Sequence, residues 1–79
     1  MTAANRLFKL EVDRETGALE RVLGVARRRG LGLERLSVVA EGSSWAVQMH
    51  TAGIAAEAVL ALAQFTALID VRQAVMEEI

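Results

Sequence analysis

Along the 79 residues the hydrophobic period switches repeatedly between two and about 3.6, and this switching constrains the fold more than any single residue does. Phe8, Leu10 and Val12 alternate with Leu7, Lys9 and Glu11, which predicts a half-buried strand over Arg6–Val12. Asp13-Arg14-Glu15-Thr16-Gly17 carries turn chemistry, with Thr16 as a candidate N-cap. Leu19, Val22, Leu23 and Ala26 then follow i, i+3, i+4, i+7 spacing and predict a helix from Ala18 to Arg29. Arg27 to Arg29 suit the negative end of its dipole, and Gly30 suits the position just past its end. Leu36, Val38 and Ala40 alternate in a second strand, Leu33–Glu41. Gly42-Ser43-Ser44 joins it to a third, Trp45–Thr51, in which Trp45, Val47 and Met49 point inward and Ala46, Gln48 and His50 outward. Ala52-Gly53 is expected to end that strand. Ile54–Ala67 reads as a helix built on Ala58, Leu62 and Phe65, and Leu68–Met76 as a last strand. Residues 1–5 lack any period and are expected to fray, leaving 6–79 as one domain.

The order βαββαβ is the split βαβ, or ferredoxin-like, arrangement. It is an α+β fold: a four-stranded antiparallel sheet with two helices on one face. The other face has no cover within the chain, and its residues are expected among Leu7, Val39, Ala46, Ala74 and Met76. This matters because a domain so short buries only about 60% of the surface its unfolded chain exposes. Yet 53% of the residues are hydrophobic and mean hydropathy is +0.32. Small domains need a staple, a metal or a partner. There is no cysteine for a staple, and a single His makes a metal site improbable, so a partner is the reading left.

Nothing in the chain assembles an active site. His50, the lone His, reads as a surface strand residue, and no nucleophile and base stand together. No catalytic residue, metal ligand or cofactor site is assigned. A net charge of −1 argues against nucleic-acid binding, as does the want of displayed aromatics on the open face. No apolar run approaches the ~20 residues of a membrane span, and no leader marks export, so a cytoplasmic protein is expected. Gly24, inside the first helix, either admits close backbone approach or is tolerated without purpose. The turn after the first strand is more informative. Asp13, Arg14 and Glu15 could hold a polar ligand or form a solvated turn with acids at the helix dipole, and the free N–H groups that follow Gly17 could receive a carboxylate.

The run Glu15-Thr16-Gly17-Ala18-Leu19-Glu20-Arg21-Val22-Leu23-Gly24, continued by Arg29-Gly30, resembles an ACT domain. More narrowly, it is similar to the regulatory small subunit of acetolactate (acetohydroxyacid) synthase. That family follows an acidic-polar turn with Gly-Ala-Leu-x-Arg-Val-x-Gly. It continues with a strand of the Asn-Ile-Glu-Ser-Leu-x-Val-Ala type, here Gly32-Leu33-Glu34-Arg35-Leu36-Ser37-Val38-Val39-Ala40, and opens its last strand as Leu68-Ile69-Asp70-Val71 does.

The resemblance implies a homodimer joined through the sheet edge into one eight-stranded sheet. It implies an amino-acid effector site where the first turn of one chain meets the second strand of its mate, through Arg14, Glu15, Thr16, Gly17, Ala18, Gly32 and Leu33. It implies a large catalytic subunit that carries the thiamine diphosphate chemistry, with no cofactor on this chain. Valine-sensing members have Asn where Arg14 and Gly32 stand, so the resemblance points to the short, one-domain type that activates its catalytic subunit. A second reading is a free-standing sensor that binds a small amino acid at its own dimer interface.

Overall fold

The computed structural model describes residues 3–79. The order is β1 (Ala3–Asp13), α1 (Ala18–Arg28), β2 (Gly32–Glu41), β3 (Ser44–Ile54), α2 (Ala55–Ala67) and β4 (Val71–Glu78). The strands form one antiparallel sheet in the order β2-β3-β1-β4, the ferredoxin-like arrangement.

Alternation dictates which side chains are covered. Phe8, Leu10 and Val12 of β1 and Val47 and Met49 of β3 point to the helices and are buried. They meet Ala18, Val22, Val25 and Ala26 of α1 and Ala58, Ala61 and Phe65 of α2. Phe8 and Phe65 meet edge to face, with ring centroids 5.3 Å apart, and this contact ties the central strand to α2.

Several expectations need correction. β1 starts earlier than the alternation suggests: Ala3, Ala4 and Asn5 pair with Ile54, Gly53 and Ala52, because backbone pairing continues past the last buried side chain. The remainder of the segment expected to fray, Met1 and Thr2, lies outside the described residues. Ala52-Gly53 does not end β3, which runs to Ile54. Ala74 and Met76 sit opposite Leu10 and Phe8, so they face the helices and pack against the core instead of lining the open face. Leu7, Val39 and Ala46 do share the open face, in register with His50, Ala46 and Glu11 respectively. The misplacement at β4 has a cause. The β1–β4 register shifts between Glu11 and Val12, which makes Arg72 an extra residue on β4 and moves every later residue to the other face.

Two glycines show opposite environments. A Cβ on Gly53 would lie 3.0 Å from Cδ2 of the buried Leu31, so that side chain would have to shift to admit one. A Cβ on Gly24 would meet only the mobile guanidinium of Arg28 at 3.2 Å, so no neighbouring backbone needs that glycine. Gly53→Ala should therefore destabilise the domain by about 1–3 kcal/mol. Gly24→Ala should stabilise it by about 0.5–1 kcal/mol. Urea unfolding midpoints that move in opposite directions will bear this out; a fall for both would show that α1 requires Gly24.

Candidate functional site

The connection from β1 to α1 is built on backbone geometry. The Glu15 N–H donates to Asp13 O at 2.8 Å and the Ala18 N–H to Glu15 O at 3.1 Å, closing a tight turn. Gly17 holds φ +81°, the left-handed region open chiefly to glycine, and the helix starts immediately after it. Gly17 therefore occupies the N-cap position and no side chain caps the helix, so Thr16 is not the cap. The turn bond to Glu15 O places Thr16 one residue outside, exposed.

Charged side chains then fasten this turn to two other connections. Arg21, one turn into α1, reaches back across Gly17: a Cβ there would sit 2.9 Å from its Nη1. Its Nε donates to Asp70 Oδ2 at 3.0 Å, and its Nη2 also reaches Asp70 and the Thr16 carbonyl. Asp70, just before β4, is nearly buried, and its own carbonyl accepts the Asp13 N–H at 2.7 Å. Arg72, aimed by the β4 bulge, bonds Asp13 and donates to Ser43 Oγ at 3.1 Å. Arg14 donates to Gly42 O at 3.0 Å, and its N–H to Ser43 O at 3.1 Å. Three arginines thus join the β1–α1 turn, the β2–β3 hairpin and the start of β4 into one polar platform.

Of the predicted site residues, Arg14, Glu15, Thr16, Gly17 and Ala18 are contiguous at this end of the sheet. Ala18 is buried beneath the turn, and Arg14 is committed to the hairpin. Gly32 and Leu33 are elsewhere. Gly32 pairs with Ala52 at the far end of the sheet, whereas Glu41 and Asp13 both pair with Ser44 at the turn end. The length of β2 separates the two groups by about 30 Å at the usual rise of a strand. Within one chain they do not meet. Arg21, Asp70 and Arg72 were not foreseen as parts of this region. The apolar residues Ile69, Val71, Ala74 and Met76 change from odd to even positions across Arg72-Gln73, and that break in period was the available signal for Arg72.

The rest of the molecule offers little chemistry. His50 lies half-buried on the open face opposite Leu7, as expected of an outward strand residue. A shallow hollow of about 410 Å³ on that face is lined by Lys9, Glu11, Glu41, Gln73, Ala46 and Val75. Among the described residues no three His, Asp or Glu side chains converge as a metal-binding group, and no helix is long and apolar enough to cross a membrane.

A double-mutant cycle tests the contact of Arg21 with Gly17. Gly17→Ala should cost about 1–2 kcal/mol for the left-handed backbone, plus a steric part. The steric part should vanish in an Arg21→Ala background, making the two substitutions non-additive. Equal costs in both backgrounds would show that Arg21 does not pack over the turn.

Residues 14–74 match the family model described as ACT domain. The crystal structure of the ACT domain from GTP pyrophosphokinase of Chlorobium tepidum superposes with a TM-score of 0.84 at 8% identity, covering 96% of this chain and 100% of that one. The ligand-free regulatory subunit of aspartate kinase from Thermus thermophilus gives a TM-score of 0.68 at 19% identity, covering 98% of this chain and 52% of that one. At these identities both likenesses concern the fold. No match is found among curated proteins.

Proposed function

This chain belongs to the ACT domain family, regulatory and non-catalytic domains, and from that premise we propose that it is a regulatory small subunit that binds and activates an acetolactate synthase catalytic subunit. The narrower assignment rests on the ordered match from Glu15 to Gly24 and on through Arg29-Gly30 to Leu68-Ile69-Asp70-Val71. The roles of those residues in the fold agree with it. Gly17 supplies the left-handed turn, Ala18 and Val22 are core, Arg21 and Asp70 bind each other, and Gly30 (φ +69°) ends α1.

One observation carries the mode of action: the candidate effector residues lie at opposite ends of a strand that is unpaired on its outer side. All ten residues of β2 are exposed, among them Leu33, Leu36, Val38 and Val39. The other edge strand, β4, carries Arg72, Glu77 and Glu78, and β2 carries as many charges, Glu34, Arg35 and Glu41; what sets β2 apart is its exposed apolar side chains. Antiparallel pairing of β2 with the β2 of a second copy would complete an eight-stranded sheet. It would bring Gly32 and Leu33 of one copy to the Gly17 turn of the other. An amino-acid carboxylate could then reach the helix-start N–H groups. Arg14, tied to Gly42, and Gly32, without a side chain, leave the effector's polar groups short of partners, so valine should bind weakly or not at all.

Two measurements decide the matter. Mixed with an acetolactate synthase catalytic subunit, the chain should form a complex and raise the rate of acetolactate formation; no complex and no rate change would refute the proposal. Calorimetry with valine should show no heat at millimolar concentration. Tight valine binding would favour the sensor reading.

A further inference from the structure

The second helix has an outer surface unlike the first. α1 shows solvent Glu20, Arg21, Arg27 and Arg28, an ordinary charged exterior. α2 buries Ala58, Ala61 and Phe65 against the sheet. At 100° per residue, Ala56, Leu60, Ala63 and Ala67 point directly away from the sheet, with Val59 beside them. All five are exposed, Val59 at 58% and Leu60 at 46%, and no charge falls among them. The only ionisable residue of α2, Glu57, lies to the side and pairs with Arg29 of the α1 terminus. An apolar face running the whole length of a solvent helix marks an interaction surface.

We propose that this face packs against the α2 of a second copy, antiparallel, about a two-fold axis. The 4-3-4 spacing of Ala56, Leu60, Ala63 and Ala67 is the spacing of a helix–helix seam. Antiparallel two-fold packing centred between Ala61 and Leu62 sets Leu60 against Ala63 and Ala56 against Ala67 of the mate. Leu60 therefore meets a small residue at the centre, and Ala meets Ala at the ends, where the helices can approach closely. Glu57 lies on the same flank as Gln64, and antiparallel packing sets it toward Gln64 of the mate and away from the mate's Glu57, while the two helix dipoles oppose. Parallel packing would instead set Leu60 on Leu60 and align the two helix dipoles.

One such contact is small. α2 has 13 residues and is about 20 Å long, so its seam buries far less than the roughly 800 Å² per partner of a stable interface. Two contacts made together relieve this, and here the inference rests on the β2-edge dimer proposed above. α1 contacts β2, whereas α2 lies over β4 and β1, so in that dimer the two α2 faces project from the same side of the sheet, at its outer ends. A second dimer turned over the first meets both at once and closes a tetramer.

Sedimentation equilibrium with three proteins tests this. The wild-type chain should have the mass of four copies. Ala63→Glu, a good helix former at an exposed position, should halve it, with the helical circular dichroism unchanged. Leu36→Lys/Val38→Lys should reduce it fourfold, to one copy. If Ala63→Glu leaves the mass unchanged, the α2 proposal is wrong. If Ala63→Glu lowers the mass while Leu36→Lys/Val38→Lys does not, the α2 contact stands and the edge reading fails. The chain has no cysteine, so a Leu60→Cys protein mixed with an Ala63→Cys protein gives an independent readout. The mixture should oxidise to the mixed disulfide dimer in preference to either symmetric one. No mixed disulfide would overturn the antiparallel register.

Discussion

The strand β2 is hydrogen-bonded on one side only, and most of what this domain can do follows from that edge. Its ladder to β3 runs from Gly32 to Glu41 with one shift at Glu34. Its outer side presents a row of N–H and C=O groups, each costly to bury without a partner. Leu36 and Val38 face the helix side of the sheet, opposite Met49 and Val47, yet remain exposed because α1 does not extend over them. The apolar excess of so short a chain therefore accumulates on an edge, where backbone and side chains both call for another strand.

The opposite requirement governs the turn end of the sheet. There the chain changes direction three times, and each connection is held by charge. Arg21 bridges α1 to Asp70, Arg72 bridges β4 to Asp13 and Ser43, and Arg14 bridges the turn to the hairpin carbonyl of Gly42. Arg21 is about half exposed and Asp70 nearly buried, so the carboxylate depends on the arginine more than the reverse. This platform lies against Gly17, which holds its left-handed conformation, and the helix-start N–H groups beyond the one bonded to Glu15 O have no intrahelical acceptor until Arg21.

The fold was legible because period and punctuation agreed. Strand and helix periods switched at Gly17, Gly30, Gly42 and near Gly53, and three of these glycines have positive φ. What escaped were features set by tertiary pairing. The Arg72 bulge inverts the faces of β4, so Ala74 and Met76 turn toward the helices and pack, partly buried, against the core. The continuation of β1 through Ala3 and of β3 through Ile54 depends on each strand being the other's partner, which no local pattern announces. Of the candidate site, the contiguous stretch from Arg14 to Ala18 was readable from turn chemistry. The bond between Arg21 and Asp70 spans 49 positions and has no local signature. The separation of Gly32 and Leu33 from Gly17 emerges only when the register of β2 on β3 is known.

The candidate effector residues, in the β1–α1 turn and at the far end of β2, would come together only if a second chain joined that edge. The central claim is that β2 finds a second β2. Amide hydrogen exchange reads this directly, since the outward N–H groups of an unpaired edge exchange rapidly and those of a paired edge do not. Alternate β2 amides, the ones directed away from β3, should be protected, and their protection should rise with protein concentration. Rapid exchange of those amides at every concentration, with the inward ones protected, would contradict the account.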